Sequence, residues 1–110
     1  MFNWRTINKT YVYDGSFEGL LSIVFNCYIN KNIPLKIVEK SNLEINFLDE
    51  IEEQITNYEH SDRIFNGIIK SISYDTLYNS YYAFLSNTQN KEINIVKYLL
   101  NGFVIGPKID

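Results

Sequence analysis

Cysteine and histidine occur once each in these 110 residues, and each scarcity removes a class of chemistry. With Cys27 alone, no internal disulfide can form. Cys27 also lies inside an apolar helical pattern, where it reads as a small buried hydrophobe and not as a nucleophile. His60 reads as a solvent-exposed turn residue just ahead of a helix, and one cysteine with one histidine makes no zinc set. No metal or other cofactor is expected. Phosphate-loop and dinucleotide glycine patterns are missing too, since "GSFEG" at 15–19 lacks both the spacing and the lysine. No apolar run approaches the roughly 20 residues of a membrane span. The opening "MFNWRTINKTYVY" has no long apolar segment of a secretory signal. A cytoplasmic location is therefore the default expectation.

Positive charge is also in short supply. Ten Lys and Arg stand against thirteen Asp and Glu, for a net charge of −3 and an isoelectric point of about 5.1. The cations are scattered singly, and the densest charged run is acidic: Asp49, Glu50, Glu52 and Glu53 around Ile51. Such a balance disfavours phosphate binding by this segment acting alone. The acidic run reads as a solvated face and not as a metal site.

Apolar residues are plentiful. A hydrophobic share of 45% beside 21% charged residues is the balance of a globular chain and not of a disordered one. Its length suits a single domain over 1–110 with one core. Nine tyrosines raise the aromatic share to 15%. Each combines a flat apolar body with a hydroxyl that wants a partner, which suits the core boundary.

The pattern along the chain predicts an α+β fold: a small sheet of about three short strands packed by about four helices. Residues 10–13 and Leu35–Val38 favour strands, and a third strand is expected near 52–57 after a turn or short helix near 46–50. The first helix spans about 16–30 and is nearly all apolar. Glu18, Ser22, Asn26 and Asn30 form its single polar stripe, so it should be the central helix; Pro34 lies beyond its end as a breaker. A second helix, capped by Ser61 or Asp62, carries Ile64, Phe65, Ile68, Ile69 and Ile72 as one stripe. A third, capped by Ser73 or Asp75, has Leu77, Tyr78, Tyr81, Tyr82, Phe84 and Leu85 on a broad apolar side. After the polar loop "SNTQNKE" a last helix carries Ile93 to Leu100 and should stop at Asn101–Gly102. The closing "GFVIGPKID" is apolar where chain ends are usually polar. That suggests the front part of a longer protein, or else a docked terminal strand.

The junction "YDGSFEG" is where a site is most readily imagined. Free amides at a helix start, the Ser16 hydroxyl and a permissive Gly15 would suit an anion. Glu18 argues against this, because its charge competes for the same positive end. Asp14 or Ser16 could equally be a helix cap. Gly19, inside the helix at a cost of about 1 kcal/mol, suggests that a backbone or ligand crosses closely there.

Four stretches together resemble a bacterial family of uncharacterised DNA metabolism proteins: "YVYDGSFEGLLSIVF" at 11–25, "SDRIFNGIIKSIS" at 61–73, "YYAFLS" at 81–86 and "IVKYLLNGFVIGPKID" at 95–110. Members are encoded beside a radical-SAM protein assigned to DNA modification or repair, and in some bacteria are fused to a uracil-DNA-glycosylase-like domain. The resemblance implies a DNA-repair setting and a radical-SAM or glycosylase-like partner. It also implies that these 110 residues are the N-terminal part of a longer protein. It adds weight to Asp14, Gly15, Ser16, Phe17, Glu18 and Gly19, and some to Arg63, Tyr81 and Tyr82. The expected function is thus an accessory domain acting with that partner. The alternatives are the front of a nucleic-acid-processing enzyme whose site the remainder completes, or a structural domain without a site. Tyr81 and Tyr82 could stack a base or anchor a partner if exposed.

Overall fold

The computed structural model describes residues 4–44 and 50–105. The order is β1 (Arg5–Tyr13), α1 (Phe17–Asn30), β2 (Asn32–Glu39), a 3₁₀ turn at Lys40–Asn42, β3 (Ile51–Glu53), α2 (Tyr58–Ser71), α3 (Tyr74–Leu85) and α4 (Lys91–Ile105). Among the described residues this is an α+β domain of four helices and one three-stranded sheet. The turn or short helix expected near 46–50 falls largely outside them.

Both strand pairings are parallel, in the order β2-β1-β3. Parallel neighbours need a crossover, and α1 supplies it between β1 and β2. Tyr11 lies opposite Ile37, and Tyr13 opposite Glu39; β3 joins the far side of β1 at Thr10 to Val12. β1 is longer than the expected 10–13. Its first half, Arg5 to Lys9, is polar and largely wet, so no alternation announces it, and pairing with residues 32–34 of β2 holds it in place. Pro34 sits within β2 and not ahead of it. Proline is tolerated there because β2 is an edge strand. The stop of α1 lies earlier, at Lys31, whose left-handed backbone (φ 57°) brings its N–H to the Cys27 carbonyl.

One cluster of buried apolar side chains draws on β1, β2 and all four helices. The central helix is α1: Leu20, Leu21, Ile23, Val24 and Cys27 are each at most 1% exposed. It packs against α2, α4 and β2.

Three boundaries differ from expectation. β3 ends at Glu53, and α2 begins at Tyr58 under an Asn57 cap whose Oδ1 accepts from the His60 N–H at 3.0 Å. His60 is therefore in the first turn of α2, with its ring stacked on Phe25 at 3.8 Å. It is half-buried and no loop residue. α4 runs through Gly102 to Ile105. Gly102 is no helix stop: a Cβ there would come within 2.8 Å of the Ile72 side chain, so glycine allows α4 to close on the end of α2.

Two faces also differ. On α2, Ile64, Ile68 and Ile72 are buried while Phe65 and Ile69 lie nearer solvent. The broad apolar side expected for α3 is inverted more strongly. This helix buries Thr76, Leu77 and Ser80 and turns Tyr78, Tyr81, Tyr82 and Leu85 outward. No helix among the described residues is long and apolar enough to cross a membrane.

Candidate functional site

The end of β1 delivers Asp14, Gly15 and Ser16 to the carboxyl edge of the sheet, with β2 on one side of the strand and β3 on the other. In open parallel sheets this is where ligands commonly lodge. Gly15 has φ +88°, which side-chain-bearing residues rarely adopt, and a Cβ there would meet the Glu39 carboxylate. Ser16 caps α1: its Oγ accepts from the Gly19 N–H at 2.9 Å.

The Asp14 carboxylate folds back onto the same turn. Its Oδ1 accepts from the Ser16 N–H at 2.9 Å and from the Ser16 hydroxyl at 2.6 Å. Its Oδ2 accepts from the Thr56 hydroxyl at 2.9 Å. The Ser16 hydroxyl, helped by the Ser16 amide and Thr56 against a desolvation cost, holds the Asp14 carboxyl below its ordinary 3.8. Gly19 is explained by the same group. A Cβ at 19 would stand 2.6 Å from Asp14 Oδ1 and 3.0 Å from Thr56 Oγ1. What stands closest to Gly19 is not another backbone but the carboxylate of Asp14. The arrangement ties together the exit of β1, the start of α1 and the segment leaving β3.

The polar stripe of α1 extends this tie. Ser22 is buried; its single O–H lies within reach of the carbonyls of Glu18 (2.9 Å) and Asn57 (3.0 Å) and donates to one of them at a time, while its oxygen accepts from the Asn57 N–H. Asn26 donates to Gln54, Gln54 to Glu52, and Lys9 pairs with Glu52 at 2.8 Å. Glu53 pairs with Lys40 at 3.3 Å. The stripe thus seats the β3–α2 connection. Among the described residues no three of His, Cys, Asp or Glu gather as a metal set.

Other titratable groups are sequestered. Burial pushes the Cys27 thiol up to about 12 and the Tyr11 phenol likewise to about 12. The Tyr13 hydroxyl donates to Glu92 at 2.9 Å, and burial raises it further still. A cleft of about 740 Å³ opens between the end of β2 and the α3–α4 loop, lined by Lys36, Glu39, Asn42, Asn90 and Glu92 among others. None of the residues expected from sequence to form a site lines it.

The expected site residues therefore separate into groups. Asp14, Gly15 and Ser16 converge on one another. Glu18 is exposed on the first turn of α1. Arg63 lies over Phe25, 5.8 Å from the ring centre. Tyr81 meets the junction through its neighbour Phe17, edge to face at 5.1 Å, and Phe84 packs on the same ring at 5.3 Å. Tyr82 pairs with Tyr78: the rings stand 4.7 Å apart and the Tyr78 hydroxyl donates to Tyr82 at 3.1 Å.

Around that pair runs an outward face that sequence reading missed. Tyr74, Tyr78, Tyr81, Tyr82 and Leu85 are 66%, 51%, 44%, 57% and 60% exposed. Their spacing of i, i+4, i+7, i+8 and i+11 makes one continuous stripe of α3. The available signal was that Thr76 and Ser80 sit four apart on the opposite side; small polar residues fit tight helix packing better than three tyrosines do. Comparison with protein-family models, with curated proteins and with solved structures returns no match for this chain.

Proposed function

We propose that this chain is a protein-docking accessory domain of bacterial DNA metabolism. It would work in the cytoplasm beside a radical-SAM or glycosylase-like enzyme, with α3 as the docking surface. The observation that carries this reading is the exposed aromatic stripe of α3, connected through Phe17 to the "YDGSFEG" junction. Five large side chains held half out of water present on the order of 500 Å². Apolar patches of that size on a folded domain commonly mark contact surfaces. Tyrosine is also the residue type most enriched where proteins meet. The net charge of −3 supports a protein over a phosphate backbone as the partner, and the resemblance supplies the enzyme's class.

The test is capture of the purified neighbouring radical-SAM protein by the full 110-residue chain. Retention at micromolar concentration is expected for the parent and for Lys97→Gln, an exposed position on α4. It should be lost when Tyr78 and Tyr82 are both replaced by serine. Equal retention by the serine variant, or none by the parent, would remove the reading.

A further inference from the structure

The docking face has a chemistry of its own, and it selects among partners. From Tyr74 to Asn90 the chain carries no lysine or arginine and a single charge, Asp75. Next in sequence to Phe17, whose ring meets Tyr81, stands the exposed carboxylate of Glu18. Four other rings carry one of this chain's own cations. Lys31 lies over Trp4 at 5.0 Å and Tyr28 at 4.8 Å, Arg63 over Phe25, and Lys91 over Phe84 at 4.9 Å. No described cation lies over Tyr74, Tyr78, Tyr81 or Tyr82. Tyr78 and Tyr82, and Tyr81 and Phe17, meet edge to face, and what those contacts leave uncovered faces water on a helix whose one charge is Asp75.

From this we infer that the α3 face receives an amphipathic helix whose apolar stripe is edged with arginine. The inference rests on the docking reading above and names the partner's chemistry. Leucine-like side chains would cover the rings and Leu85. Arginine suits the rim better than lysine, because a planar guanidinium can stack on a tyrosine and at the same time fork onto a carboxylate. From Tyr74 to Leu85 the stripe is about 16 Å long, three turns of a matching helix. An acidic helix, or a nucleic-acid strand, would bring negative charge to a face that already has it.

The probes are two synthetic helical peptides of about twenty residues, long enough to hold some helix alone. They share one leucine stripe, edged by arginine in one and by glutamate in the other. Each is titrated into the full chain, with oligothymidine in parallel and sedimentation of the chain alone. The arginine peptide should bind about tenfold more tightly than the glutamate peptide. That preference should shrink as salt rises from about 50 to about 500 mM. Replacing Tyr78 and Tyr82 by serine should abolish it, and Glu18→Gln should reduce it a few-fold. Equal affinity for the two peptides overturns the inference. So does tyrosine-dependent binding of oligothymidine, or a tyrosine-dependent dimer, which would make a second copy the occupant. If the serine variant loses the enzyme in the capture experiment yet the parent treats both peptides alike, docking stands and the arginine assignment falls. If the serine variant keeps the enzyme, the docking face itself is wrong.

Discussion

At the start of α1 polar groups are spent on one another, while along α3 aromatic groups are turned outward and left to water. Asp14, Ser16, Gly19 and Thr56 form a closed set in which each donor or acceptor explains its neighbour. Tyr74, Tyr78, Tyr82 and Leu85 gain little from being apolar where they are. A charged, glycine-punctuated junction looks like chemistry and here joins three segments of backbone. A run of tyrosines looks like core and here faces outward. Residue type gives what a side chain can do; its neighbours decide whether that capacity is already used.

If the junction is structural, changes there should register as lost stability in urea unfolding. Gly15→Ala should cost most, about 2 kcal/mol, because a Cβ at φ +88° is strained. Gly19→Ala gives a finer test. Alanine favours the helix by about 1 kcal/mol, yet its methyl displaces the Asp14 carboxylate, losing charge-assisted bonds of about 2 kcal/mol. The expected net loss is about 1 kcal/mol, and it should become a gain once Asp14 is also alanine. A loss that persists in that background would mean Gly19 answers to something else.

Asp14→Asn should be milder, at most about 1 kcal/mol for so exposed a group. It carries a pH signature. The Asp14 carboxyl lies below its ordinary 3.8 in the folded chain, so its contribution is present above that value and drains away as pH falls through the folded value. Parent and variant stabilities should converge below about pH 3.8, and a difference that stays constant into acid would contradict the assigned bonds. The smallest effect belongs to α3: replacing Tyr78 and Tyr82 by serine should leave the urea midpoint within error of the parent's.

Legibility followed locality. The first helix and its cap could be read because Ser16 and Gly19 are three residues apart, and the largely apolar stretch 20–27, broken only by Ser22 and Asn26, admits one role. The full length of β1 could not, since Arg5 to Lys9 are held by backbone partners in β2 that no local pattern marks. The cap of α2 at Asn57 was hidden behind the stronger-looking Ser61 and Asp62. Of these, Ser61 turned out buried in the helix. The polar stripe of α1 was recognised, but not that Ser22 and Asn26 would serve the segment 54–57 in place of water. The α3 face was the largest miss: eight apolar residues left two sides to choose from, and only the positions of α2 and α4 decide which is covered.

The most direct measurement is the affinity of the proposed radical-SAM partner for the chain with Tyr78 and Tyr82 changed to serine, taken beside the urea midpoint of the same sample. The expected result is an affinity about tenfold or more weaker with an unchanged midpoint. Undiminished affinity at an unchanged midpoint would contradict the division between a structural junction and a docking helix.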